Sequence, residues 1–138
     1  MNRELKNQSS ITARKWYTDI DFNLKPHPSS GDLTLKYDKE AIKGAIRNII
    51  LTNKYERPFK PNLGANLRTY IFELSDDITR FEIRKRIIDA LETFEPRVRI
   101  SEINLSTSGM NRLHVNIGYG IVGIAEPQNL EVTLERVR

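Results

Sequence analysis

From residue 17 to residue 37 apolar and polar positions alternate. Ile20, Phe22 and Leu24 interleave with Asp19, Asp21 and Asn23, the period of two that marks a half-buried strand. Pro26, Pro28, Ser29, Ser30 and Gly31 make a loop. Leu33, Leu35 and Tyr37 then alternate again, predicting a second short strand or extended piece. At Asp38, read as an N-cap, the period changes. Ile42, Ala45, Ile46, Ile49 and Ile50 form one apolar helical face, which predicts a helix over Lys39–Leu51. Thr52 to Asn62, holding Pro58 and Pro61, is a loop. Leu63, Leu67, Tyr70, Ile71 and Leu74 return to helical spacing and predict a short second helix. Ser75 reads as the cap of a third, with Asp76 and Asp77 where the helix dipole favours negative charge. Its apolar positions, from Ile78 and Phe81 through Ile83, Ile87, Ile88, Ala90 and Leu91 to Phe94, cover a wide arc. Such an arc suits a helix packed on two neighbours, or on the core and a partner. Pro96 disfavours helical backbone at Glu95 and ends the run.

The remainder alternates. Val98 and Ile100 are in phase, but Ile103 and Leu105 are shifted by one, so a bulge is expected near Ser101–Glu102. Ser106 to Asn111 reads as a hairpin turn. Leu113, Val115, Ile117, Tyr119 and Ile121 alternate with His114, Asn116, Gly118 and Gly120. Glu126-Pro127-Gln128-Asn129 reads as a turn, followed by Leu130, Val132 and Leu134. The predicted class is α+β: about three helices packed on a C-terminal three-stranded antiparallel meander, with a short N-terminal strand or hairpin. Residues 1–16 read as a flexible basic arm. Residues 17–138 read as one domain, helical over about 38–95 and β over about 97–138.

Charge and composition narrow the function. The 138 residues carry a formal net charge of +4, concentrated in the first fifteen, where Arg3, Lys6, Arg14 and Lys15 outweigh Glu4. A basic arm on a balanced body is a weaker nucleic-acid signal than a basic face. With no cysteine, disulfides, thiolate metal sites and a cysteine nucleophile are excluded, and folding in a reducing cytoplasm is expected. The polar start does not read as a signal peptide, and no apolar run approaches a membrane span.

Candidate chemistry is sparse. His27 lies in the proline-rich loop and His114 on the polar phase of a strand. Gly118, Gly120 and Gly123 match a dinucleotide fingerprint by letters, but they end a strand and lead into Glu126-Pro127 instead of a helix. Glycines there suit close approach or bends. Asp19 and Asp21 share one strand face at a spacing that an inverting glycosidase pair can use, yet the chain's single Trp, Trp16, offers no aromatic-lined cleft. No catalytic, cofactor or metal residues are therefore assigned.

Three segments in order carry a resemblance: Tyr17-Thr18-Asp19-Ile20-Asp21-Phe22; Glu56-Arg57-Pro58-Phe59-Lys60-Pro61-Asn62-Leu63-Gly64, followed by Leu67 and Ile71-Phe72-Glu73; and Glu95-Pro96-Arg97-Val98 between a long helix and a meander. Over roughly residues 17 to 122 the chain resembles the baseplate wedge, or sheath-initiator, family of T-even-type contractile phages. That family has relatives in type VI secretion and other contractile injection systems. Two departures stand out. Tyr55 occupies a position where the family often has Gly, and Asn62 one near which an acidic residue is common.

The resemblance implies a non-enzymatic subunit of the virion tail baseplate, assembled in the host cytoplasm and present in six copies around the tail axis. Its partners would be other wedge proteins and the tail sheath. Glu95, Pro96 and Arg97 would dock on the helical core bundle of the wedge; read alone, they are a helix stop with a local ion pair. Glu56, Arg57, Pro58, Phe59 and Gly64 belong to an ordered loop, with Phe59 expected to anchor it in the core and a partner contact as the other reading. Sheath arms would add strands to the meander, whose alternating residues Leu113, Val115, Ile117, Tyr119, Ile121, Leu130, Val132 and Leu134 would set register. Two other classes compete: a nucleic-acid-binding or adaptor domain using the basic arm, and a tail-associated peptidoglycan hydrolase using Asp19 or Asp21.

Overall fold

The first helical stripe folds as α1 (Asp38–Leu51), burying Ala41, Ile42, Ile46, Ile49 and Ile50 on one face. The stripe after residue 76 folds as α2 (Asp77–Phe94), burying Thr79, Ile83, Ile87, Ala90 and Leu91. Asp76 caps α2, its carboxylate accepting from the Ile78 amide at 3.4 Å, so the cap predicted at Ser75 falls outside the described residues. These are 17–21, 23–72, 76–109 and 112–135 of a computed structural model; the basic arm and Phe22 also lie outside them. Ahead of α1, β1 (Thr18–Ile20) and β2 (Leu35–Tyr37) pair antiparallel in a two-stranded sheet. Asp38 does not sit at the cap of α1 but in its first turn. Its carboxylate accepts from the Tyr17 amide at 3.0 Å, tying the chain entering β1 to the helix start.

Behind α2, β3 (Val98–Ser108), β4 (Arg112–Ile121) and β5 (Ile124–Glu135) form an antiparallel meander with β4 in the centre. Its apolar face is covered by the helices, with α2 against β3 and α1 against β5. Leu113, Val115, Ile117, Tyr119 and Ile121 from β4 join Leu130, Val132 and Leu134 from β5 in the core. Burying such side chains is worth about 1.5–3 kcal/mol each, so this face is a major source of the fold's stability.

The expected architecture of three helices on one meander is overturned. The described residues form two α-helices and two sheets, of two and three strands. Where the predicted second helix falls on described residues it is a 3-10 turn, Arg68–Phe72; Leu74 lies outside them. Gly64 and Asn66 both take positive φ, 115° and 52°, which keeps the first part of the predicted helix, up to residue 66, out of the α-helical conformation. Leu67 and Ile71 are still buried. Their spacing was set by the core, which an irregular segment can also fill.

The turn predicted at residues 126–129 is also displaced. The chain reverses at Val122–Gly123, where Gly123 has φ 88° and Ile121 pairs with Ile124. Glu126–Asn129 lie within β5, where the interval Ile124–Gln128 faces the shorter interval Tyr119–Ile121 of β4. Pro127 is tolerated because that irregularity falls on an edge strand. The other irregularity is the bulge expected from the phase shift: Ile100 pairs with Tyr119 and Glu102 with Gly118, leaving Ser101 extra.

Candidate functional site

Three surfaces follow from this fold. The first is the junction where α2 ends. Pro96 forces Glu95 out of the helix (φ −135°, ψ 68°), and Glu95 becomes the C-cap, its amide still reaching the Leu91 carbonyl. Glu95 is only 3% exposed. Its carboxylate accepts two bonds from the Arg97 guanidinium, one from Nε and one from Nη2 at 2.6 Å. Bidentate pairing of this kind is strong and directional. Arg97 also lies over the Tyr17 ring, 4.8 Å from its centroid. The hydrogen bonds it donates to Glu95 hold the guanidinium above its ordinary pKa, with a smaller contribution from Asp19. The Val122 amide donates to the Arg97 carbonyl at 2.9 Å. The predicted trio thus joins helix, meander and β1. Glu95 faces inward, Pro96 is exposed and Arg97 is half-buried.

The second surface is the meander. The residues expected to set the register of added strands, Leu113 to Ile121 on β4 and Leu130 to Leu134 on β5, point under the helices into the core. β4 is bonded on both sides, so it has no edge to offer. β3 and β5 are the edge strands. Beside β3 runs a cleft of about 450 Å³ whose walls include Ile88, Arg84 and Glu92 from α2 and Val98, Ile100 and Ile103 from β3. The opposite face is polar. There His114 contacts Thr133 Oγ1 at 3.0 Å and Glu131 at 3.6 Å.

The third surface is the loop between α1 and the 3-10 turn. Phe59 does not anchor it in the core. The ring is 98% exposed, and the loop is instead held at its base by Gly64. A Cβ on Gly64 would lie 2.2 Å from the Thr52 carbonyl oxygen, so only glycine fits. Within the loop the Tyr55 amide donates to the Pro61 carbonyl at 2.7 Å, and Glu56 accepts from the Asn53 amide at 2.9 Å and from its side chain at 2.6 Å. Those bonds, and more weakly Arg68, lower the Glu56 pKa. Tyr55 has φ 68°, a conformation that favours glycine.

Asp19 and Asp21 are not arranged as an acid–base pair. Asp21 bonds the Asn23 amide at 3.1 Å and Lys36 at 3.1 Å, both of which lower its pKa, whereas a general acid needs the opposite shift. On α2, Ile78 and Phe81 stay exposed, so the wide apolar arc exceeds what the core covers. The periodicity showed that arc, but nothing in the sequence marked Ile88 as the wall of a cleft.

This fold is that of contractile-particle baseplate subunits. The anti-feeding prophage baseplate contains a chain superposing with TM-score 0.69 at 22% identity, covering 80% of this chain and 89% of that one. A baseplate chain of post-contracted pyocin R2 gives 0.53 at 14%, covering 88% and 100%. A Geobacter sulfurreducens protein described as a tail lysozyme gives 0.68 at 24%, covering 76% and 96%. The chain belongs to the baseplate wedge protein gp25 family, whose pattern matches residues 36–125. The gp25 baseplate wedge protein of Enterobacteria phage T4 is 31% identical over 91 residues, 66% of this chain and 68% of that protein.

Proposed function

We propose that this wedge protein is a non-enzymatic scaffold of the virion tail baseplate that starts sheath polymerisation by accepting a strand at the free edge of β3. The observation that carries this is the cleft between β3 and α2. An incoming extended segment would bond to the β3 backbone and bury alternate side chains against Ile88, Ile100 and Ile103, the arrangement that gives β-augmentation both affinity and register. β5 is a poorer host, because Pro127 lacks a donor within that strand. The other end of the assembly is the Glu95–Arg97 junction. Glu95 orients Arg97, whose remaining donors and neighbouring Pro96 dock on the helical core of the wedge. Six copies around the tail axis, assembled in the host cytoplasm, complete the reading. The Asn23 and Lys36 contacts that hold Asp21 below its ordinary pKa do not suit it to act as a hydrolase's general acid.

The test is Ile88→Glu, which places a charge in the cleft without entering the buried core. Baseplates carrying it are expected to form, with the protein's melting temperature nearly unchanged, but to carry no sheath in electron micrographs. Full-length sheath on such baseplates would sink the strand-addition reading.

A further inference from the structure

We infer that the loop over residues 53–63 is a docking knob whose Phe59 side chain enters an apolar pocket of another baseplate protein, with carboxylates on the pocket rim meeting Lys54, Arg57 and Lys60. The Phe59 ring is 98% exposed, so the isolated fold gains no burial from it. Large aromatic side chains are the commonest anchors of protein interfaces. Tyr55, 79% exposed, stands on the same loop. The loop is ordered before it binds. The Tyr55–Pro61 bond closes it, the Lys60 and Leu63 amides donate back to the Arg57 and Lys60 carbonyls, and Gly64 locks its base against Thr52. Little conformational freedom is left to lose on association.

Charge identifies the partner's chemistry. The loop's single carboxylate, Glu56, is engaged by Asn53. Lys54, Arg57 and Lys60 form no ion pair with another described residue, so the loop presents net positive charge around an aromatic tip. A nucleic-acid platform would need a basic groove tracking several phosphates. Here the ground beside the loop is mixed, the adjoining cleft being lined by Glu82 and Asp89 as well as Lys85 and Arg86. An acidic-rimmed pocket on a protein fits that pattern better than a polyanion. The inference rests on membership of the wedge family but not on strand addition at β3.

The experiment installs the photo-crosslinker benzoylphenylalanine at position 59 of the full-length protein in cells assembling the particle. The cross-linked peptide is then identified by mass spectrometry. The expected product is a single adduct to a baseplate protein, at apolar residues flanked by Asp or Glu. In the purified pair, Phe59→Ala is expected to weaken binding about tenfold or more, with the melting temperature unchanged. Arg57→Glu is expected to weaken it too, and to be rescued by a lysine at the partner's carboxylate. No adduct in assembled particles, an adduct to nucleic acid or lipid, or unchanged affinity in Phe59→Ala would overturn the inference. Because Ile88→Glu acts on sheath and Phe59→Ala on this contact, either reading can fail while the other stands.

Discussion

The helix end at Glu95–Arg97 and the loop at 53–63 are similar in composition, each built from a glutamate, an arginine and a proline, with an aromatic ring beside them, but they turn those groups in opposite directions. At the helix end the carboxylate is buried, the guanidinium clamps it and Tyr17 covers the guanidinium. In the loop the ring is in solvent and the cations have no partner among the described residues. The difference lies in what surrounds each segment. Residues 95–97 sit where helix, meander and β1 converge, so their polar groups must be satisfied within the chain. Residues 53–63 leave the body between Thr52 and Gly64, and only the base of the loop is enclosed. A charged motif is therefore a docking element by its chemistry only where the fold has not already used that chemistry.

Four substitutions sharpen or break this contrast. Gly64→Ala should have the largest effect: the new methyl would meet the Thr52 carbonyl at 2.2 Å in a backbone conformation with φ 115°. Strain and overpacking together should cost about 3 kcal/mol or more, measurable as a lower urea midpoint. Next is the inward-facing phenol of Tyr119, which burial, aided by Glu40, pushes up to about 12 from 10.0. A folded-state value above the unfolded one means its stabilisation is complete below pH 10 and is lost as pH rises towards 12. Two units correspond to about 3 kcal/mol at most. Tyr119→Phe should therefore flatten the alkaline limb of a stability–pH curve, and an unchanged limb would place that titration elsewhere.

Glu95→Gln should cost about 2 kcal/mol, below the 3–5 of a fully buried pair because Arg97 is partly solvated. It should also release Arg97 from Tyr17, read as a change in tyrosine fluorescence. The smallest effect is a gain. Tyr55→Gly removes a side chain from a left-handed position, and about 0.5–1 kcal/mol of added stability is expected after the glycine's own entropy cost. A loss there would mean that Tyr55 makes contacts beyond its backbone bond to Pro61.

Much of the fold could be read from periodicity, because burial and spacing agree where an element is regular. The stripes of α1 and α2 and the phase shift from Ile100 to Ile103 are such places. The reading went wrong where the core is filled by irregular backbone. Leu67 and Ile71 keep helical spacing although the backbone there is a 3-10 turn entered from left-handed positions at Gly64 and Asn66. Pro127 looks like a turn because proline's rare place in an edge strand has no local signature. Phe59 was expected inside because it is large and apolar; its actual position depends on a loop geometry that only Gly64 and Thr52, together, define. Tyr55 departs from the glycine common in the family, and the positive φ at that position accounts for the glycine preference.

The extra residue at Ser101 lets the strand carry an insertion without losing its phase. Ile100, Glu102 and Ile103 lie opposite Tyr119, Gly118 and Ile117, which are consecutive, so Ile103 and Leu105 keep the core-facing alternation that a paired Ser101 would have reversed. A lineage could therefore lose residue 101 and retain every inward side chain of β3. A Cβ on Gly118 would come within 2.9 Å of Ser101 Oγ and 3.0 Å of Glu102 Cγ, so a methyl there must push those side chains aside while the bulge exists. Position 118 thus carries the imprint of the insertion, and loss of Ser101 would remove one of the contacts that crowd it.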